Sequence, residues 1–463
     1  MRERAQRFVG QAELAVGEAE RERELLRQDE ALRARLVDLR LEQIETIGNT
    51  KREAEFDKAF AQAFHDYGVD LEAADLVPAL ERIRERDIAE EVALALDDWG
   101  RVRRKVLGPN SEVAKNLFYL AMDLDEDPER RRMREAIYAN DLAAMLELSA
   151  PENLAKLAPG SIWVLSATLW DRFPERRPDV YRMYDQALHL YPGDFVLQWV
   201  GGNIYQDAGR HQASLACRIA ALSLRPDNIS ARARVAESLL FLGRSTDSEG
   251  AGRACVAADP SNADAHYALA MAQLQLGDHA GALASVSRAL ALREVANWRS
   301  DELVLRFYLG QATRAQVAEA LARTGDRDIA GTYGFGLLEH PDPAQRDPEL
   351  VLRTLEGRPA LFMDADWVFV LETLARIRSG DWSGAQTALA DHYSTPSLSF
   401  LSPGALIFMR ALIYAHVGRE DAARECYARG MVEWNAQTGG NPAAWERSDM
   451  MLWRREAEAA LAK

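Results

Sequence analysis

Apolar residues recur along this chain at the spacing of one helix face, and the pattern predicts helices throughout. Residues 1 to about 66 are dense in Arg and Glu, with Leu25, Leu32 and Leu39 at a seven-residue step and Leu36 and Ile44 on the same stripe. The stretch reads as a long, exposed, charged helix with a narrow apolar seam. Asp29 and Gln43 sit where the seam wants apolar side chains, so a helix that docks on the rest of the chain or acts as a linker competes with a self-associating coil. A separate helical block spans residues 67–160. Gly68 is placed to cap the first helix. The stretch Leu76 to Ile83 follows, then Asp87 to Val106 with Ile88, Val92, Leu94, Leu96, Trp99 and Val102 at helical spacing. Asp127-Pro128 predicts an N-cap and first position for a helix through Ile137, and Asp141 opens the next.

The middle of the chain adds a longer period. Pro192, Pro226 and Pro260 stand 34 residues apart, as do Gly209, Gly243 and Gly277, and the small residues Ala187, Ala221, Cys255 and Ala289. Three registers on one 34-residue period indicate tetratricopeptide-type helical hairpins. With position 1 at Phe195, Ile229 and Ala263, position 8 is Gly202, Ala236 and Ala270, and position 20 is Ser214, Ser248 and Ala282. Small residues at these two places let the helices of one hairpin approach closely. The array is expected over 161–294, beginning with a degenerate unit near Ser161 where Arg176-Arg177-Pro178 replaces the glycine turn. Residues 295–363 lose the period. Helices are expected at Asp301–Leu309 and Gln316–Arg323, and Pro341, Pro343, Pro348 and Pro359 are expected to break the remainder. Residues 364–463 hold two looser hairpins turning at Gly380 and Gly418, then an amphipathic helix with Trp445, Met450, Leu452, Trp453, Ala457 and Leu461 that is placed to cap the stack. The fold class is therefore all-α, an α-solenoid with a long N-terminal helix.

Composition narrows the function. A formal net charge of −16 and a pI near 5.1 argue against nucleic acid and against an anionic membrane surface. No signal peptide is visible, and the longest apolar stretch, Ala405 to Val417, is interrupted by Arg410 and too short to cross a bilayer. Cys217, Cys255 and Cys426 are too few for a disulfide framework or a zinc site and read as reduced, buried thiols, which suits the cytoplasm. No catalytic set is assembled. There is no phosphate-binding loop, no His-Glu-x-x-His and no kinase Asp-Phe-Gly. Asp123, Asp125 and Asp127 alternate as in a calcium loop, but Pro128 and Arg134 stand where that loop needs glycine and glutamate, so an acid-rich helix start is preferred. The run Arg101, Arg103, Arg104, Lys105 is read as facing solvent at a helix C-terminus. No cofactor is expected.

Several runs outside the repeat are more specific: Leu39 to Glu45, Glu55-Phe56-Asp57, Asp66 to Asp70, Ala95-Leu96-Asp97-Asp98-Trp99, Asp366-Trp367, Gly380-Asp381-Trp382 and Gly418 to Arg424. The runs up to Trp99 resemble the stretch between an N-terminal kinase domain and a C-terminal tetratricopeptide array in large multidomain bacterial serine/threonine protein kinases, and the later runs resemble the end of that array. The resemblance covers about residues 35–293 and 341–463, contains no kinase domain, and implies a regulatory or substrate-recruiting module.

The leading expectation is a non-enzymatic scaffold that binds a partner peptide or helix in the groove lined by the first helix of each hairpin. Positions 5, 9 and 12 of that helix face the groove, and the candidates are Trp199, Asn203 and Gln206; Glu237 and Leu240; Tyr267, Met271 and Leu274. Trp199 and Tyr267 are either peptide anchors or rings packed between hairpins. The lysine of a carboxylate clamp is missing, and Glu237 disfavours a free C-terminus. The alternatives are the recruiting arm of a kinase encoded upstream or acting in trans, and a homo-oligomer built on the N-terminal helix.

Overall fold

The apolar seam of the first helix is used within the chain. The computed structural model describes residues 2–45, 53–71, 77–84, 86–108, 111–362, 368–390, 403–438 and 449–462, and all regular structure among them is helical. Two compact units divide the chain, residues 1–200 and 201–463. The five segments read from the pattern and the period divide it differently; in a solenoid each helix packs on its neighbours, so a change of pattern need not fall at a gap in packing.

The first unit contains α1 (Arg2–Glu45), α2 (Glu53–Asp66), α3 (Val77–Arg84), α4 (Ala89–Leu107), α5 (Glu112–Leu124), α6 (Pro128–Ala139), α7 (Leu142–Leu148), α8 (Pro151–Leu154), α9 (Pro159–Arg172) and α10 (Arg177–Leu190). Two helices, α1 and α2, occupy the span where the pattern predicts one. Leu32, Leu36 and Leu39 are buried in a cluster with Phe56, Phe60 and Phe64 of α2 and Val92, Leu96 and Trp99 of α4. Phe60 and Phe64 stack on Trp99 with centroids 6.2 and 5.5 Å away. Burying each such side chain is worth about 1.5–3 kcal/mol, whereas an exposed helical ion pair gives about 0.2–0.5 kcal/mol. Apolar docking therefore holds this half of α1, and Leu32, Leu36 and Leu39 offer nothing to a second copy.

Asp29, the polar break in the seam, has a partner waiting. Its carboxylate is buried and accepts from the Tyr67 hydroxyl at 2.7 Å and from two nitrogens of Arg86 at 2.8 and 2.7 Å. Three consecutive residues of α4 likewise reach four different helices. Asp97 takes Arg134 of α6. Asp98 accepts from Arg40 of α1 at 2.6 Å and from the Trp163 indole of α9 at 3.0 Å. Trp99 donates to Asp57 of α2 at 2.7 Å. A helix turns 100° per residue, so adjacent side chains point to separate elements. Asp125 is buried between Arg130 and Arg134, and the acid-rich helix start lies two residues on at Asp127. The Arg101–Lys105 run is also mostly occupied. Arg103 is buried over the Trp99 ring and pairs with Asp57, while Arg101 and Lys105 both reach Asp171. Asp127 and Asp141 cap α6 and α7 from their side chains, and Pro128 stands at the first position of α6. Ser111 caps α5, a helix the sequence pattern did not single out.

The boundary between the units falls inside α11 (Phe195–Asp207). There follow α12 (His211–Leu224), α13 (Ile229–Phe241), α14 (Ser245–Ala258), α15 (Ala263–Gln275) and α16 (His279–Leu292). Gly209, Gly243 and Gly277 turn each hairpin at φ 69, 71 and 70°, a left-handed conformation that costs glycine least. Helices α10, α12 and α14 end two residues before Pro192, Pro226 and Pro260. Ser214, Ser248 and Ala282 are buried at position 20, and the two serine hydroxyls donate to the Gly202 and Ala236 carbonyls at 2.7 Å.

The hairpins do not stop at residue 294. Helices α17 (Ala296–Tyr308) and α18 (Arg314–Arg323) form a further pair, turned by Gly310 at φ 70°. This glycine falls one residue short of the period, and the turn runs to Thr313, whose capping box with Gln316 starts α18. Then come α19 (Arg327–Leu338), α20 (Pro348–Gly357), α21 (Pro359–Phe362), α22 (Val368–Ser379), α23 (Trp382–Ala390), α24 (Pro403–His416), α25 (Glu420–Thr438) and α26 (Asp449–Leu461). Pro348 and Pro359 open helices rather than breaking them, because the first helical position needs no N–H donor. Gly380 and Gly418 turn their hairpins at φ 82 and 78°. In α26, Trp453 and Ala457 are buried, and Arg378 covers the Trp453 ring at 4.7 Å while pairing with Glu456 at 3.0 Å. Asp366, Trp367 and Trp445 lie outside the described residues.

Candidate functional site

The register that places helix-A positions 5, 9 and 12 on one face also decides which candidates meet. In the first unit, Trp199 is 3% exposed. Its ring lies 5.7 Å from that of Phe195 and its indole N–H donates to the Ile44 carbonyl at 3.3 Å. Trp199 is thus part of the core against the end of α1, and its expected role as a peptide anchor does not hold.

In the second unit, Asn203, Gln206 and Glu237 come together around a residue the sequence reading missed, Arg218 of α12. Arg218 is 3% exposed and spans from α11 to α13. It donates to Asn203 Oδ1 at 3.3 Å, Ser238 Oγ at 2.9 Å, the Arg234 carbonyl at 2.9 Å and Glu237 Oε2 at 3.1 Å. The absence of a side chain at Gly202 makes room for it, since a Cβ there would stand 2.9 Å from Arg218 Cγ. Arg234 also binds Glu237, at 2.8 Å. Burial works against the Glu237 charge, but Arg234 and Arg218 overcome it and hold the carboxyl down at about 2. For Arg218 the balance is reversed: burial lowers it to about 10 in spite of Glu237. The pair is one glutamate shared by two guanidiniums, so Glu237 presents no free negative charge to a ligand. Two buried polar atoms here lack a hydrogen-bond partner, Arg218 Nε and Gln206 Oε1.

Leu240, Met271 and Leu274 continue the same face, each half-buried. Met271 and Leu274 pack beside Tyr267 on the cluster formed by Ala270, Val286, Leu290 and Trp298. Tyr267 is half-buried, stacks on Trp298 at 4.7 Å and donates to Asp301 Oδ2 at 2.9 Å. Asp301 is 34 residues after Tyr267, the same register position in the next helix A. The sequence signal was present, but it lay beyond the point where the proline and glycine registers stop. Burial raises the Asp301 carboxyl to about 6, with the Tyr267 hydrogen bond opposing.

Among the described residues no group of three His, Cys, Asp or Glu is placed to hold a metal ion, and no helix is long and apolar enough to cross a membrane. Cys217, Cys255 and Cys426 are buried, and none of them forms a disulfide.

A tetratricopeptide-repeat model matches residues 263–295, the α15–α16 hairpin, whose register the sequence fits best. No curated protein matches the chain. Among solved structures, YrrB, described as a tetratricopeptide protein with an unusual peptide-binding site, is 16% identical; the match covers 49% of this chain and 96% of that one at a TM-score of 0.29. A tetratricopeptide repeat protein from Parabacteroides merdae is 12% identical, covering 64% and 97% at 0.32. Human IFIT1, as a dimer with PPP-AAAA, is 12% identical, covering 85% and 97% at 0.40. At such scores none of them bears on what this chain binds.

Proposed function

We propose that the chain is a non-enzymatic scaffold whose second unit binds an extended or helical segment of a partner protein along the helix-A face of its hairpins. One observation carries this reading. Asn203, Gln206, Glu237, Leu240, Tyr267, Met271 and Leu274 all remain partly exposed in one register, polar at the α11–α13 end and apolar at α15. Stacked hairpins of this type present such a face as an extended binding surface. The test is site-specific photocrosslinking in cells, with a benzophenone amino acid at Met271 or Leu240 and, as control, at Arg288 on α16. The expected result is one partner captured from the first two positions and not from the third. Capture from Arg288 alone refutes the assignment of this face.

A second reading, the regulatory or recruiting arm of a serine/threonine kinase encoded upstream or acting in trans, is favoured by a specific contact set. Three of the runs that carry the kinase resemblance bind one another, through Arg40 with Asp98 and Trp99 with Asp57. A kinase-coding stretch reading in frame into this one, or a kinase co-purifying with the chain, decides for it. Absence of both decides against it.

A further inference from the structure

Among the described residues Asp301 is an acid in no ion pair, while the charges beside it on the same helix are paired. On its own helix, Arg299 pairs with Glu294 and Glu302, and Arg306 pairs with Glu302. Arg293 lies over the outer ring of the stack, 4.8 Å from the Trp298 centroid, and is held by Asp264 at 3.0 Å. Glu237, whose charge reaches Tyr267, is bound by Arg218 and Arg234. Among the described residues no ion pair reaches Asp301. It is nevertheless half-buried, with Tyr267 donating to one oxygen at 2.9 Å.

A purely structural role does not account for a carboxylate here. The Tyr267 hydroxyl needs only a neutral acceptor, which an asparagine oxygen supplies without the cost of a poorly solvated charge. A partly desolvated carboxylate with one oxygen bound by a phenol does fit one kind of guest. An ammonium or guanidinium group donates a charge-assisted hydrogen bond to the carboxylate. The net charge of −16 attracts such a guest from a distance.

We propose that Asp301, bound on one oxygen by Tyr267, receives a lysine or arginine side chain of the partner segment, so that the groove selects a basic residue at one fixed position. This rests on the reading of the helix-A face as a binding groove. It also makes Asp301, and not Glu237, the charge that a partner reads.

The test is selection of a displayed random dodecapeptide library against the full chain, followed by affinity measurement with the selected peptides by fluorescence anisotropy. Native chain, Asp301→Asn and the surface control Asp421→Asn are compared after circular dichroism has shown each to be folded. Peptides sharing one Lys or Arg are expected. Asp301→Asn weakens them at least tenfold, Asp421→Asn by less than threefold, and replacing the peptide arginine by neutral citrulline reproduces the tenfold loss on the native chain. The citrulline arm does not depend on any protein variant folding. If the native chain enriches no peptide, the groove reading itself falls and this inference with it. If peptides are enriched without a shared cation, or bind Asp301→Asn as well as native, or lose as much on Asp421→Asn, the groove stands and the Asp301 inference is wrong.

Discussion

Replacing Arg134 by methionine is expected to destabilise the first unit by about 3–5 kcal/mol at pH 7.5, the usual result of stranding one partner of a buried ion pair. Arg134 and Asp97 are both fully buried, with Arg134 Nε 3.0 Å from each Asp97 oxygen and Nη2 at 2.9 Å. Asp125, the other carboxylate on Arg134, keeps Arg130 at 2.6 Å, so Asp97 is the group left uncompensated. Burial already lifts Asp97 from 3.8 to about 6 against the pull of Arg134, and removing Arg134 lifts it further. A carboxyl whose folded value lies above its unfolded one holds its proton better in the native state, so stability declines as pH rises through that interval. The deficit of Arg134→Met is therefore largest above pH 7 and shrinks toward pH 5. The double variant Arg134→Met/Asp97→Leu removes both charges, and apolar replacement of a whole buried pair is often nearly neutral, so it should recover to within about 1–2 kcal/mol of the native chain. Urea titration of the full chain, followed by far-ultraviolet circular dichroism at pH 5.0 and 7.5, measures all three. A single-variant loss under about 1 kcal/mol, or a double variant no better than the single, refutes the claim that desolvation dominates this pair.

Asp301→Asn is expected to stabilise the chain by about 1–3 kcal/mol at pH 7.5, and the gain should vanish by pH 4, because the native carboxyl titrates at about 6 instead of 3.8; a melting series across this range checks it. Two glycines of α14 should respond in opposite directions. Gly250 has open space around it, so Gly250→Ala gains about 0.5–1 kcal/mol from helix propensity. At Gly252 a Cβ would stand 3.0 Å from the Leu269 backbone, so Gly252→Val loses about 1–3 kcal/mol by overpacking. Cys255, fully buried with its thiol pushed up to about 11 by burial, should react with Ellman's reagent only after urea unfolding.

The hairpins were legible in the sequence wherever turn glycine, small residue and proline kept step. Gly310 was not, because a one-residue shortfall and a longer turn hid a hairpin whose first helix is otherwise in register. Pro348 and Pro359 misled for a related reason: proline breaks a helix interior but suits a helix start, and the sequence alone did not say which. At the site, the register found Asn203, Gln206, Glu237 and Tyr267. It could not find Arg218, which enters from the second helix of its hairpin and reaches the face only because Gly202 has no side chain. Trp199 failed as a groove residue because the helix that covers it is more than 150 residues earlier in the chain, a separation that local periodicity cannot see. Asp29 looked like a flaw in the apolar seam for the same reason, until Arg86 supplied its counter-ion.

The reach of α4 and α11 back to α1 bears on where this protein can be divided. The period places the start of the array near Ser161, the natural place to cut. A fragment beginning there keeps Trp163 without Asp98 and Trp199 without Ile44, two indoles shaped for a surface that has been removed. Such a fragment carries a sticky flank of its own making, and any association it shows is a property of the cut. The first two hundred residues are to be inherited, moved and expressed whole.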